Sequence, residues 1–150
     1  MLLKEISYQG QLKIINSKVA IIGCGGIGCP LALYLAGAGV GRLGLFDSDS
    51  VEVTNLHRQI GHQNQSIGMK KTQSLANTLL AFNPNIKITQ HPFITVESSE
   101  ELMQFDLIID GSDNPECRYI VNDFCMKAGK KLLSGACIGW EGQVTCYGGK

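Results

Sequence analysis

Short apolar runs alternate with amphipathic stretches along the whole chain, and this alternation predicts strands and helices in turn. The apolar runs predict strands at Lys18–Ile22, Arg42–Phe46, 86–89, 106–109, 131–133 and 143–147. The amphipathic stretches predict helices at 4–15, from 26 to the glycines at 37 and 39, at 69–82, at 98–105 and at 115–128. Because strands and helices alternate, the sequence predicts an α/β fold with a doubly wound, mostly parallel sheet and right-handed crossovers.

The spacing of apolar residues within each helix predicts which side chains face the core. In the helix at 69–82 we expect the buried side to carry Leu75, Leu79, Leu80 and Phe82. In the helix at 115–128 we expect the inward side chains to be Tyr119, Ile120, Phe124 and Cys125. The strand at 106–109 is more apolar than its neighbours, which favours a central place in the sheet.

One stretch of the chain leaves a buried strand, breaks into glycines and then opens a helix. Gly23, Gly25 and Gly28 have the spacing of a Rossmann-like nucleotide-binding turn, in which the first allows a tight turn, the second a close approach of phosphate and the third the packing of helix on strand. The helix N-terminus presents unpaired N–H groups and a partial positive charge, so the stretch predicts an anion site. The same glycines also occur in packing turns that bind nothing.

A carboxylate in the right place turns this general anion site into a candidate nucleotide site. Asp47 ends the second strand 19 residues after Gly28, close to the distance of about 20 at which an acidic residue meets ribose hydroxyls. Gly28 is followed by Cys29 and Pro30, so the Gly-Lys-Ser/Thr sequence of a P-loop is excluded.

Composition limits the kind of protein to which this site belongs. The 150 residues are 44% apolar and carry a formal net charge of zero, which predicts one soluble domain that attracts neither nucleic acid nor a membrane surface. No apolar run reaches the roughly 18 residues of a membrane span and no signal-peptide pattern begins the chain, so we expect a cytoplasmic protein. The six cysteines form no Cys-x-x-Cys pair and most are expected to be reduced core thiols; at Cys24 a helix N-terminus would lower the thiol pKa.

Three charged groups outside the glycine turn point to phosphate chemistry rather than hydride transfer. Arg58 lies in a polar loop, Lys71 in a later helix and Asp113 after the fourth strand. A dehydrogenase has no need of these charges, whereas cations neutralise a reacting phosphoryl group and a carboxylate holds Mg²⁺. Adjacent lysines such as Lys70 and Lys71 are, however, usually solvated.

Four motifs in order carry a family resemblance. They are GCGGIGCP at 23–30, DSDSVEVTNLHRQ at 47–59, GMKK at 68–71 and DGSDN at 110–114. With them the sequence resembles the adenylation domain of the MoeB/ThiF family, the relatives of ubiquitin-activating enzymes, over about residues 3–147. The segments RYIVND at 118–123 and WEGQ at 140–143 most resemble the branch that contains bacterial MoeB and the molybdopterin-synthase sulfurylases.

The resemblance implies ATP-dependent adenylation of the C-terminal glycine of a ubiquitin-like sulfur carrier that ends in Gly-Gly, for molybdopterin, thiamine or tRNA thiolation, by a homodimer. It implies catalytic roles for Arg58, Lys71 and Asp113, with Mg²⁺ on Asp113. The nucleotide contacts it implies come from Gly23, Gly25, Gly26, Gly28, Asp47, Thr54, Asn55, Leu56, His57, Arg58, Lys71, Asp113 and Asn114, although His57 reads more simply as a spacer. Arg118 either orients Asp113 or lies on a helix surface.

The sequence also departs from the family pattern. Family members have an arginine just upstream of the segment matched by residues 2–6 and two zinc-binding Cys-x-x-Cys pairs downstream, and neither occurs in these residues. We therefore expect residues 1–150 to form an incomplete adenylation domain without the ligands for the family's zinc. A non-catalytic module that binds a nucleotide or a ubiquitin-like protein stays open as an alternative, and a nicotinamide-dependent dehydrogenase is less favoured.

Overall fold

The structure, a computed structural model, describes residues 6–148. Its strands are β1 (Lys18–Ile22), β2 (Arg42–Phe46), β3 (Lys87–His91), β4 (Leu107–Asp110), β5 (Lys131–Ile138) and β6 (Glu141–Tyr147). Its helices are α1 (Ser7–Asn16), α2 (Gly28–Ala38), α3 (Lys71–Phe82) and α4 (Pro115–Ala128), with short 3₁₀ helices at Val53–Asn55, Asn64–Ser66 and Ser99–Gln104. The predicted start of the first helix at residue 4 lies outside the described residues.

The strands form one sheet of order β3-β2-β1-β4-β5-β6. All neighbours are parallel except β5 and β6, which form an antiparallel hairpin. The predicted α/β fold with a doubly wound, mostly parallel sheet is thus confirmed. The fourth strand, β4, is central as its apolar sequence predicts, since it lies between β1 and β5.

Helices cover both faces of the sheet because successive side chains of a strand point in opposite directions. Ile21 of β1 packs in a cluster with residues of α2 and α3. Ile22, the next residue, packs in a second cluster with residues of the 3₁₀ helix Ser99–Gln104 and of α4. The chain passes to one side of β1 for β2 and β3 and to the other for β4 to β6, so β1 and β4 frame the switch point where open α/β sheets bind ligands.

The prediction of an inward side chain is wrong at three positions. Leu80, Phe82 and Tyr119 are all exposed. On α4 the buried stripe runs through Cys117, Val121 and Cys125 at four-residue spacing, and Tyr119 lies two residues off that stripe. On α3 the buried residues Leu75 and Leu79 define the stripe, which Leu80 misses. Phe82 at the end of the helix lies at the surface, with its ring 3.3 Å from the position that a Cβ on Gly37 would take.

The hairpin of β5 and β6 is longer than the sequence predicts. Strand β5 continues to Ile138, five residues past the predicted end at 133, and pairs there with Glu141. The two-residue turn is Gly139-Trp140, and the indole of Trp140 is fully exposed. Within residues 6–148, every helix is too short or too polar to cross a membrane.

Candidate functional site

The glycine turn between β1 and α2 is fixed by backbone contacts. Gly23 has φ of +90°, a left-handed conformation that favours glycine, and its N–H donates to the Phe46 carbonyl of β2. A Cβ on Gly28 would lie 1.9 Å from the Gly23 carbonyl oxygen, so no side chain fits at this position. These two glycines make the tight turn and the close packing that the spacing predicts.

The amides that follow the turn are available to a ligand. In the part of the chain that the structure describes, the N–H groups of residues 25–27, which line the cleft, donate to no acceptor. They form the N-terminal end of α2, where unpaired N–H groups and the helix dipole favour a negatively charged group. Gly25 and Gly26 leave this end open, since a Cβ on either would meet nothing closer than 3.6 Å. The turn therefore has the geometry of an anion site.

Asp47, at the end of β2, binds the backbone of the glycine turn. Its two carboxylate oxygens each accept one backbone N–H at 2.8 Å, from Cys24 and from Asp49. Each oxygen keeps a free lone pair, so the carboxylate can accept a further hydrogen bond from a ligand hydroxyl. Although mostly buried, Asp47 lines the cleft above the turn.

Lys71 at the start of α3 is buried, whereas Lys70 next to it is exposed. The Lys71 ammonium donates to the Asp49 carboxylate at 2.7 Å, and the Asp49 side chain is 70% exposed. Burial alone lowers the pKa of Lys71, but the hydrogen bond to Asp49 and the other nearby carboxylates outweigh it and raise its pKa above the ordinary value. The lysine is thus a fixed positive charge at the cleft, and the general tendency of paired lysines to be solvated applies only to Lys70.

Arg58 reaches the cleft from the polar loop after β2. Its aliphatic stem lies over the glycine turn, 3.7 Å from the position that a Cβ on Gly26 would take, and its guanidinium donates to the Thr54 carbonyl at 3.3 Å. Gln59, the next residue, is buried in the cleft wall, and its side-chain oxygen is the one buried side-chain polar atom without a partner in residues 6–148.

A network at the end of β4 orders the segment that carries Asp113. The buried Asp110 carboxylate accepts from the Ser112 hydroxyl at 2.7 Å and from its N–H at 3.0 Å. Arg118 donates to the carbonyls of Ser112 at 2.8 Å and Gly135 at 2.7 Å. Arg118 therefore contacts the backbone next to Asp113 and not the Asp113 carboxylate, and it is only partly exposed. That it orients Asp113 stays a prediction.

The ends of several elements converge on one cleft of about 780 Å³ at the switch point. Of the predicted residues it is lined by Gly23, Gly25, Gly26, Asp47, Arg58, Lys71 and Asp113. The structure places six others outside this lining, namely Gly28, Thr54, Asn55, Leu56, His57 and Asn114. Two of the six have capping roles instead, because Asn55 accepts the N–H of Glu52 and Asn114 that of Cys117 at the start of α4. Their contacts with a nucleotide stay predictions.

Sequence reasoning missed several residues of the cleft. Asp49 had a signal, since it follows β2 only two residues after Asp47. The apolar part of the wall, formed by Phe93, Pro115 and residues 136–138, had none, because its members come from distant segments without a shared motif. In residues 6–148 no three His, Cys, Asp or Glu side chains are placed to hold a metal ion. Mg²⁺ on Asp113 stays a prediction.

The buried thiols are not activated. Burial is the main cause that raises the pKa of Cys24 well above its ordinary value, and the Asp47 carboxylate is the second. The expectation that the helix N-terminus lowers the Cys24 pKa is therefore wrong, since desolvation outweighs the dipole. Four of the six cysteines are buried as expected, while Cys137 and Cys146 on the hairpin are exposed.

A larger groove of about 1070 Å³ lies away from this cleft, between the 3₁₀ helix Ser99–Gln104 and α4. Its wall combines apolar side chains such as Met103 and Tyr119 with the carboxylates of Glu100 and Asp123. It contains none of the predicted site residues.

Comparison with known proteins finds similarity over nearly the whole of this chain. The model of the ThiF family matches residues 1–149. The adenylyltransferase and sulfurtransferase MOCS3 of Dictyostelium discoideum is 50% identical over 145 residues, which cover 95% of this chain and 34% of the relative. The protein of the same name in Xenopus laevis is 46% identical over 149 residues, with coverage of 98% and 33%. The chain thus spans about one third of the length of these curated relatives.

Solved structures share the fold. A crystal structure of E. coli MccB with MccA-N7isoASN is 29% identical with a TM-score of 0.82, over 92% of this chain and 42% of that one. A crystal structure of E. coli MccB with ATP is 30% identical with a TM-score of 0.77, over 86% and 40%. E. coli tRNA N6-threonylcarbamoyladenosine dehydratase, TcdA, at 24% identity and a TM-score of 0.83, over 91% and 60%, is similar in fold alone.

Proposed function

Because the chain belongs to the ThiF family, we propose that its cleft binds ATP and serves the adenylation of the C-terminal glycine of a ubiquitin-like sulfur carrier. The carrier ends in Gly-Gly and delivers sulfur for molybdopterin, thiamine or tRNA thiolation. The curated relatives are named adenylyltransferases, and MccB has been crystallised with ATP. Both facts support the proposal at the level of the reaction class.

One observation carries the proposal: cationic side chains and free amides from separate elements meet in a single cleft. Lys71 comes from α3, Arg58 from the loop after β2 and the unpaired amides from the start of α2. Asp47 and Asp113 stand among them at the ends of β2 and β4. A structural packing turn does not need cations and unpaired amides from separate elements in one cleft, whereas a triphosphate requires them.

The roles of the residues follow from the charges in the reaction. A carboxylate oxygen of the carrier attacks the α-phosphorus of ATP, the bond from that phosphorus to the bridging oxygen breaks, and pyrophosphate leaves with the electron pair. Carboxylate and triphosphate repel each other, so the approach requires that Arg58 and Lys71 neutralise phosphate charge. Asp47 would accept hydrogen bonds from the ribose, and the amides at 25–27 would bind phosphate oxygens.

Mg²⁺ fits the acidic side of the cleft. Such ions are usually held by one or two carboxylates together with phosphate oxygens and water, and Asp113 is exposed in the cleft wall to provide one carboxylate. When bound, the ion would balance the charge of the departing pyrophosphate. The network of Asp110, Ser112 and Arg118 holds the backbone beside Asp113 and so limits where this carboxylate can lie.

The apolar side of the cleft suits the tail of the carrier. Phe93, Pro115 and residues 136–138 form this part of the wall, and an extended Gly-Gly tail has no side chains to obstruct it. We further propose that the active form is a homodimer, as the family resemblance implies.

The test is pyrophosphate exchange into ATP, measured with and without a carrier that ends in Gly-Gly. Exchange should depend on the carrier and should fall by a factor of about 100 or more in Arg58→Ala, Lys71→Ala and Asp113→Ala. Lys70→Ala is the matched control, because the neighbouring lysine is exposed and its ammonium donates to the Ser48 carbonyl. Exchange in that variant should stay within about twofold of the wild type.

The same assay separates the alternatives when ATP and NAD binding are measured beside it. ATP binding without exchange would favour the non-catalytic module. Preferential binding of NAD would remove both readings and support a dehydrogenase. Equal losses in Lys70→Ala and Lys71→Ala would contradict the role of the cleft lysine.

A further inference from the structure

His62 is a buried histidine that the proposed reaction does not use. It lies between the glycine turn and α3, and only 5% of its surface is exposed. Its Nε2 atom is 2.9 Å from the carbonyl oxygen of Cys24, and its Nδ1 atom is 2.9 Å from the hydroxyl of Ser74. The Cys29 thiol donates to the same carbonyl at 3.3 Å. The imidazole thus joins the turn to the helix that carries Lys71.

The partners of the ring determine which nitrogen carries its proton. Burial lowers the pKa of His62 below its ordinary value, and the Lys71 ammonium acts in the same direction, so the ring is neutral near pH 7. A neutral imidazole has one donor nitrogen and one acceptor nitrogen. A carbonyl oxygen can only accept, so Nε2 must donate to Cys24, and Nδ1 accepts from the Ser74 hydroxyl.

The bond to Cys24 sets the direction of the next amide. A peptide bond is planar and trans, so the N–H of Gly25 points away from the carbonyl oxygen of Cys24. His62 and Cys29 hold that oxygen on the buried side of the turn, and Asp47 holds the Cys24 N–H at 2.8 Å. With its carbonyl held inward, the Cys24–Gly25 peptide directs the Gly25 N–H toward the cleft that Gly25 lines.

We propose that His62 is a positioning residue for nucleotide binding: by donating to the Cys24 carbonyl it aims the Gly25 amide at the phosphates. Its second bond, through Ser74, ties this amide to α3, three residues after Lys71. The imidazole therefore holds the Gly25 amide and the Lys71 ammonium in fixed positions relative to each other, so that both can bind the same anion. The inference rests on the proposed binding of ATP and assigns to it a residue outside the cleft wall.

Two substitutions separate the two bonds of the ring. In His62→Gln the side-chain amide reaches the place of Nε2 and can still donate to Cys24. In His62→Asn it reaches only the place of Nδ1, so the contact with Ser74 is kept and the one with Cys24 is lost. We expect ATP affinity, measured by calorimetry on the full chain, to stay within about threefold in His62→Gln and to fall about tenfold in His62→Asn, the value of roughly one hydrogen bond.

Thermal unfolding of both variants is the control for a merely structural role. Similar melting temperatures with different ATP affinities support the proposal, while equal losses of affinity, or losses that follow the melting temperatures, overturn it. Nitrogen-15 NMR of the free protein gives a readout without nucleotide: His62 should be the neutral Nε2–H tautomer, and the Gly25 amide resonance should shift in His62→Asn but not in His62→Gln. The Nδ1–H tautomer would overturn the inference. A wild-type chain that shows these NMR features but does not bind ATP would refute the proposed function instead.

Discussion

Two glycines of the turn between β1 and α2 should respond differently to alanine. At Gly28 the added Cβ would lie 1.9 Å from the carbonyl oxygen of Gly23, whereas ordinary contact begins at 3.4 Å. The difference between these values, 1.5 Å, must be opened by moving α2 away from the end of β1. Both groups are fixed to backbone, so no rotamer change can relieve the contact.

The cost of Gly28→Ala can be estimated from known penalties. Overpacking a core with side chains costs about 1–3 kcal/mol, and a rigid backbone contact lies at or above the top of that range. Alanine returns at most about 1 kcal/mol of helix propensity at the first residue of α2. We expect a loss of about 3 kcal/mol, which lowers the melting temperature of a chain of this size by roughly 6 to 12 °C.

Gly26→Ala is the matched variant two residues away. Its Cβ would meet only the flexible stem of Arg58 at 3.7 Å, so the free energy of unfolding should change by less than about 0.5 kcal/mol. The methyl group would stand on the cleft side of the turn and keep phosphate from the backbone, and ATP affinity should fall about tenfold. Differential scanning calorimetry and ATP titration measure both effects. A stable Gly28→Ala, or a Gly26→Ala with unchanged ATP affinity, would refute the reasoning.

Three further perturbations test other parts of the molecule. Burial raises the pKa of Cys125 from 9.0 to about 11, so the folded state loses stability as pH rises from about 9 toward 11. Between pH 8 and 10 the free energy of unfolding in urea should fall by about 1 kcal/mol more in the wild type than in Cys125→Ala. Equal losses in the two proteins would contradict this. Arg118→Met removes donors to two backbone carbonyls and should cost about 2 kcal/mol in the same assay, with Arg118→Lys in between because lysine lacks the planar fork; a neutral Arg118→Met would be unexpected. Asp49→Asn should lower the pKa of Lys71, which can be followed by NMR of the Lys71 ε-methylene group. An unchanged pKa would show that the ion pair with Asp49 does not raise the pKa of Lys71.

The elements that the sequence predicts best are those that punctuation residues bound. Strands β1 and β2 have the predicted ends because each is a continuous apolar run that stops at a glycine or an acidic residue. Helix α4 is bounded by Pro115 in its first turn and by Gly129 in the left-handed conformation after its last. Strand β5 contains a glycine, Gly135, within its length, and there the predicted end falls short of Ile138.

The candidate site also contains residues that the sequence predicts and residues that it does not. The glycines, Asp47, Lys71 and Asp113 follow strand ends or begin helices, and parallel strands bring such positions to one edge of a sheet. The ion pair of Lys71 could not be predicted, because its partner, the Asp49 carboxylate, lies 22 residues earlier in the chain. The place of Arg118 depends on a carbonyl of β5, and that of His62 on the carbonyl of Cys24, 38 residues away. Contacts of side chains with distant backbone leave no pattern in the sequence.

The turn of the β5–β6 hairpin carries the single tryptophan of the chain, Trp140, with its ring entirely in water. Its fluorescence will hardly change when the chain unfolds, since indole meets solvent in both states. The same property makes it a built-in optical probe: any molecule that settles on the hairpin removes water from the ring, and the emission then shifts to the blue without a label.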